Sequence, residues 1–143
     1  MVLPDVNVLL GAFRPDASTH PTCRTWLKAV VHGDARFGIS PLVLSGVIRI
    51  STNRGVYSEP SSLGQAIGFC KDILGQPHCV VINPGDRHWD IFTTLLAEAD
   101  IKGPRVSDAW FAALAVEHAC EWITFDRDFA RFPGLRWSRP TNS

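Results

Sequence analysis

Apolar residues come in short bursts, and the bursts alternate between strand-like and helix-like spacing. Val2-Leu3-Pro4-Asp5 opens as a short extended run that Pro4 keeps brief, since proline cannot donate to a ladder. The stretch 6–13 then turns into a short helix. Thr19-His20-Pro21 begins another, with Thr19 as N-cap and Pro21 in the first turn; Cys23, Trp26, Leu27 and Val30 share one face, and His32-Gly33-Asp34 stops it. Residues 36–40 read as a second strand. Ser40-Pro41 opens a helix to about Thr52, with Leu44, Val47 and Ile48 facing inward, and 53–60 is loop. Ser62 and Gln65 have capping-box spacing, followed by an apolar stripe of Leu63, Ile67, Cys70 and Leu74. Cys79-Val80-Val81-Ile82 is continuous and β-branched, as a buried strand would be. After the Pro84-Gly85 turn, Asp86 is placed to cap a helix carrying Trp89, Phe92 and Leu96. Residues 108–119 are the best helix in the chain, with Ser107 as its N-cap; 122–125 is a strand, and Leu135-Arg136-Trp137 a last one.

This alternation predicts a single α/β domain over residues 1–143 with a mainly parallel sheet covered by helices on both faces. Composition agrees: 45% hydrophobic residues, five Trp and eight Phe supply a core and argue against disorder. Lys+Arg and Asp+Glu both total 14, so there is no global attraction to nucleic acid, although a neutral protein can segregate charge locally. The four cysteines form no C-x-x-C pair and no His stands at a zinc-knuckle spacing, which predicts reduced, buried thiols. The N-terminus has no basic region ahead of its apolar run, and no stretch approaches the roughly 20 apolar residues of a membrane span, so the expected location is the cytoplasm.

The acids change the picture. Asp5 ends the first strand, Asp108 opens an apolar helix, and Asp126 and Asp128 follow the strand at 122–125. In parallel α/β sheets, ligands bind beyond the carboxyl ends of the strands, where Asp5 and Asp126 would lie. Carboxylates gathered there repel one another, and a divalent cation, Mg²⁺ or Mn²⁺, is the simplest thing to hold them. That chemistry points to metal-assisted phosphodiester cleavage. Each acid also has a structural alternative. Asp5 is equally a turn former or helix cap. Asn7 either orients the Asp5 carboxylate or caps the next helix. Asp108 answers to the positive end of its helix, a field that would also keep it ionised. Asp126 and Asp128 point different ways in an extended chain, so Asp126 is the favoured ligand, with Asp128 capping a turn or standing behind the ligands.

The order Asp5-Val6-Asn7-Val8-Leu9, then Ser107-Asp108-Ala109, then Thr124-Phe125-Asp126-Arg127-Asp128-Phe129 resembles the PIN-domain ribonucleases, and in particular the VapC toxins of bacterial VapBC toxin–antitoxin pairs. Residues 40–50 resemble their second long helix. The block Thr52-Asn53-Arg54-Gly55-Val56-Tyr57 resembles a branch expanded in mycobacteria. The resemblance implies a PIN-like three-layer α/β/α sandwich with a central, mainly parallel sheet of four or five strands, and Mg²⁺- or Mn²⁺-dependent endonucleolytic cleavage of RNA, tRNA or rRNA among the targets. It also implies a VapB-type antitoxin whose C-terminal segment fills the site, and often a homodimer. It carries Asp5, Asp108 and Asp126 over as metal ligands. One departure stands out: at the position where most of the family has a Glu, this chain has Gly46, and no acid occurs anywhere in 37–58. One-metal catalysis, compensation by Asp128 or water, and a weakened enzyme that mainly binds RNA or antitoxin are the three readings that follow.

For RNA contacts the candidates are Arg54, Arg127 and Arg131, with Arg136 and Arg139 nearby, each of which is equally ordinary surface charge. Arg49 either touches RNA or restrains a ligating carboxylate. The five His are scattered, and none is needed as a general base. Two other acid-rich α/β classes fit less well. A receiver-type phospho-signalling domain wants a late Lys, but the lysines are Lys28, Lys71 and Lys102. A phosphatase of the haloacid dehalogenase type wants Asp-x-Asp where this chain has Asp5-Val6-Asn7.

Overall fold

A computed structural model describes residues 1–141; the last two residues of the expected domain, 142 and 143, lie outside them. In chain order the elements are β1 (Val2–Pro4), α1 (Val6–Phe13), α2 (His20–Val31), β2 (Phe37–Ile39), α3 (Pro41–Ser51), α4 (Leu63–Leu74), β3 (Cys79–Val81), α5 (His88–Glu98), α6 (Val106–Glu117), β4 (Glu121–Ile123) and β5 (Trp137–Ser138). Short 3₁₀ turns cover Gly103–Arg105 and Arg127–Arg131.

All strand pairs are parallel. β4 lies between β1 and β5, β2 pairs with β3, and β2 runs beside β1, so the five strands form one layer with a break in the ladder between β1 and β2. Pairs of helices make the first three crossovers, as parallel pairing requires a long connection. Leu3 and Pro4 of β1, all three residues of β2, and Trp122 and Ile123 of β4 are buried in succession. Neighbouring strand residues point to opposite faces, so helices must cover both sides, which is the expected α/β/α sandwich. Trp122 anchors one side, stacked on Phe111 of α6 (centroids 5.3 Å apart) and tilted against Phe129 (5.5 Å). Truncating such a buried ring to Ala costs about 3–5 kcal/mol.

Two caps match expectation. Ser40 Oγ accepts from the Val43 N–H at the start of α3, and Ser62 and Gln65 complete a reciprocal capping box on α4. Three do not. Thr19 and Ser107 make no side-chain cap bond, because Thr19 is itself helical in backbone and α6 begins one residue before Ser107, whose hydroxyl donates to the Pro104 carbonyl. Asp86 is exposed, and Glu117 of α6 does its work instead, accepting from the Gly85 and Arg87 N–H groups at 2.8 and 3.0 Å. Burial alone would raise the Glu117 carboxyl, but those two N–H groups hold it below its ordinary value.

The sheet edges account for the other departures. β3 pairs only with β2, so Val81 is 50% exposed and Cys79 half-buried, although the run reads as a buried strand. Leu63, Leu74 and Trp89 face solvent, and Ala66, Ile73 and Leu95 take the core positions instead. Among the described residues no helix is long and apolar enough to cross a membrane.

Candidate functional site

Parallel pairing of β1 with β4 sets Pro4 opposite Ile123, so the two strands end side by side. The Asp5 N–H continues the ladder by donating to the Ile123 carbonyl at 2.8 Å. The chain then leaves the sheet at Asp5 on one strand and at Thr124-Phe125-Asp126 on the other. Asp5 caps α1, with Oδ1 accepting from the Val6 N–H at 2.6 Å; this realises the cap reading without excluding the other, since Oδ2 points away to Thr124.

Thr124 is fully buried and its hydroxyl organises the centre. It donates to Asp5 Oδ2 at 2.7 Å and accepts from the Asp126 N–H at 3.1 Å. Asn7 supports the same junction. Its amide donates to Thr124 Oγ1 (3.2 Å) and to Asp5 Oδ2 (3.5 Å), and its carbonyl accepts from the Phe125 N–H at 3.3 Å. Of the two sequence readings of Asn7, orienting Asp5 is the one realised. Asp126 Oδ1 accepts from the Asp128 N–H at 2.9 Å in a tight turn, and the two carboxylates, expected to point different ways, both reach Arg105. Asp108 arrives in the first turn of α6.

Arg105, which sequence reasoning passed over, sits among these acids. Its Nη1 donates to Asp108 Oδ2 (3.1 Å) and Asp126 Oδ2 (3.4 Å), and its Nη2 pairs with Asp128 Oδ2. Arg131 Nη2 reaches Asp128 Oδ1 at 3.5 Å. Three carboxylates thus share two guanidinium groups, and neither guanidinium pairs with Asp5. Burial, with smaller contributions from the charges of Asp108 and Asp126, pushes the Asp5 carboxyl up to about 6, against the hydrogen bonds from Thr124 and Val6. Burial also raises Asp108, which Arg105 partly offsets.

This donor set suits a hard divalent cation: oxygen ligands only, with a surplus of negative charge centred on Asp5. As the side chains stand, no group of three or more His, Cys, Asp or Glu among the described residues closes into a ready coordination sphere, and Arg105 lies between two of the acids. Asp5, Asp108, Asp126, Asp128 and Asn7 therefore come together as expected. Arg49 does not join them; it is exposed on α3 and has no ion pair among the described residues, which leaves no carboxylate for it to restrain. Arg127 is exposed beside Asp126, and Arg54 is exposed in the loop after α3. Arg136 is committed to the Ala119 carbonyl, and Arg139 reaches the Phe125 carbonyl at 3.5 Å.

Gly46 is buried where α3 crosses the start of α1. A Cβ there would stand 2.9 Å from Val6 Cγ2. Close packing against the residue that follows Asp5 accounts for the glycine.

A parallel α/β sheet with acids at adjacent strand ends and at a helix start defines the PIN class. The PIN domain family model matches residues 2–135, and the chain belongs to that family. Ribonuclease VapC31 and ribonuclease VapC25 of Mycobacterium tuberculosis are each 41% identical to it over 140 residues, spanning 98% of this chain and 99% of theirs; the chain falls in their VapC group. Solved structures share the fold. VapBC2 from Rickettsia felis, bound to a DNA fragment from its promoter, aligns over 97% of this chain and 98% of that one, with a TM-score of 0.71 and 18% identity. VapC20 from Mycobacterium tuberculosis, described as a sarcin–ricin loop cleaving toxin, aligns over 95% and 99%, with a TM-score of 0.67 and 14% identity.

Proposed function

We propose that the chain is the toxin of a toxin–antitoxin pair and a metal-dependent endoribonuclease, with Asp5, Asp108 and Asp126 holding Mg²⁺ or Mn²⁺. The observation that carries this is the convergence of three carboxylates from β1, α6 and the end of β4, with Asp5 half-buried and lacking a cationic partner. When bound, the metal supplies Lewis-acid activation of water and neutralises charge developing on the phosphate.

The protein's own groups do the positioning. Thr124 and the Val6 N–H fix the two Asp5 oxygens, and Asn7 locks Thr124 to the start of α1. The N-terminal field of α6 favours the ionised form of Asp108. The Asp128 N–H holds one oxygen of Asp126. Arg127 and Arg54 are free to meet the RNA backbone, and Arg131 can do so with the part of its guanidinium not spent on Asp128. Attack by water would leave 5′-phosphate and 3′-hydroxyl ends. A structured tRNA or rRNA is the favoured substrate, a VapB-type antitoxin the favoured partner, a homodimer the favoured assembly and the cytoplasm the favoured location. The relatives' names support the ribonuclease reading, and VapBC2 and VapC20 among the fold neighbours support the antitoxin partner and an rRNA target.

One observation favours a second reading. Gly46 stands where the family's Glu is expected and Arg105 occupies part of the cluster, as in a weakened enzyme that acts mainly by binding RNA or antitoxin. The antitoxin-free chain, incubated with total RNA plus Mg²⁺, Mn²⁺ or EDTA beside its D108N variant, separates the two. Discrete metal-dependent cuts that disappear in D108N are expected. Folded protein that cuts in neither metal would transfer the assignment to the binding role.

A further inference from the structure

We infer that Arg105 is a built-in counter-cation, which holds Asp108 and Asp126 in the metal-free protein and must be displaced before a divalent ion can bind. The inference rests on the reading of Asp5, Asp108 and Asp126 as metal ligands.

The guanidinium is divided between two tasks. Nη1 lies against the two acids assigned as ligands, at 3.1 Å from Asp108 and 3.4 Å from Asp126. Nη2 is paired with Asp128, which is outside the ligand set. Arg131 holds the other Asp128 oxygen, so Asp128 is a fixed anchor. Arg105 can keep this anchor while its Nη1 swings away from the ligands.

The backbone allows that motion to be local. Arg105 ends the 3₁₀ turn Gly103–Arg105 and caps α6, so its main chain is held while its long side chain stays 42% exposed. Arginine does not lose its charge at any working pH, so it can leave the acids only by moving. Its contacts also stop short of Asp5. One positive charge is divided among Asp108, Asp126 and Asp128 and none is paired with Asp5, which leaves surplus negative charge to attract a metal. An equilibrium between arginine-in and arginine-out states lowers the apparent metal affinity by the fraction of protein in the open state. Arg105 is thereby a positioning residue that sets the divalent-ion concentration at which the site loads.

The test is calorimetric titration of the metal-free chain with Mn²⁺, comparing wild type, R105Q, R105K and D108N, together with melting temperatures with and without Mn²⁺. The two partly exposed ion pairs given up on metal binding, at ordinary surface strength, correspond to about a tenfold change, so R105Q is expected to bind Mn²⁺ about tenfold more tightly. R105K, which keeps the charge but cannot bridge several acids at once, should fall between. R105Q should melt lower than wild type without metal and match it with saturating Mn²⁺, whereas a merely structural arginine would lower both values. Equal or weaker Mn²⁺ binding by R105Q, with wild-type binding still lost in D108N, overturns the competition and leaves the metal site standing. Mn²⁺ binding that is absent in both proteins, or indifferent to D108N, overturns the metal reading and the competition together.

Discussion

The hydroxyl of Thr124 donates to Asp5 Oδ2 at 2.7 Å, tying the end of the fourth strand to the end of the first. The same oxygen accepts from the Asp126 N–H, so one small side chain aligns two of the three assigned ligands. Thr124→Val keeps the shape and removes both bonds. It is expected to lower RNA cleavage at least about tenfold and to cost about 1–2 kcal/mol of stability, since the buried groups left behind lose their partner. Thr124→Ser should retain most of both. Cleavage by T124V at the wild-type rate would show that Asp5 needs no such alignment.

The raised Asp5 carboxyl carries a sign that stability measurements can read. In the unfolded chain Asp5 ionises near 3.8, and in the folded protein near 6. The fold therefore bears the full burden of a buried carboxylate above pH 6 and sheds it as pH falls from 6 towards 3.8, where the folded protein takes up a proton before the unfolded chain does. Asp5→Asn removes this dependence. In metal-free protein the stability of wild type relative to D5N should fall by about 2 kcal/mol between about pH 4.5 and pH 8. Urea denaturation of both proteins at the two pH values measures it, and a constant difference would mean that Asp5 is not raised.

Gly46 makes a packing prediction that can change sign. A helix interior ordinarily favours Ala over Gly by about 0.5–1 kcal/mol. Here the added Cβ would stand 2.9 Å from Val6 Cγ2. Gly46→Ala should therefore destabilise wild type by about 1 kcal/mol and be neutral or stabilising in a Val6→Ala background. Chemical denaturation of the four proteins of this cycle tests it, and strict additivity would remove the packing explanation. Gly46→Glu, which restores the family's acid, is accordingly informative in the Val6→Ala background, where the side chain has room.

The acids were readable because each sits at a boundary where an apolar segment stops, and in a parallel sheet those boundaries coincide in space. Asn7 was readable as a partner of Asp5 for the same reason, being two residues beyond a strand end. Arg105 was not. Gly103-Pro104-Arg105 reads as a connector, and nothing in the spacing reveals that a long side chain folds back over acids three, 21 and 23 residues later. The helix caps mark a similar limit. Ser40 and Ser62 act locally, as sequence rules assume, but the start of α5 is served by Glu117, a partner 32 residues from Gly85. Val81 and Trp89 misled because composition reports a residue's preference for burial and not whether a neighbour exists to bury it; β3 has a partner on one side only.

The pairing of β1 with β4 also orders events in time. β1 takes its ladder partner from residues Glu121–Ile123, and Asp5 meets Thr124 across a separation of 119 residues. At about 5–20 residues per second on a ribosome, that interval is on the order of ten seconds. A nascent chain stopped before β4 carries Asp5 and Asp108 but neither Thr124 nor Asp126, and so cannot form the cluster. The topology thus postpones assembly of the acidic cluster until β4 and the turn that follows it have been made.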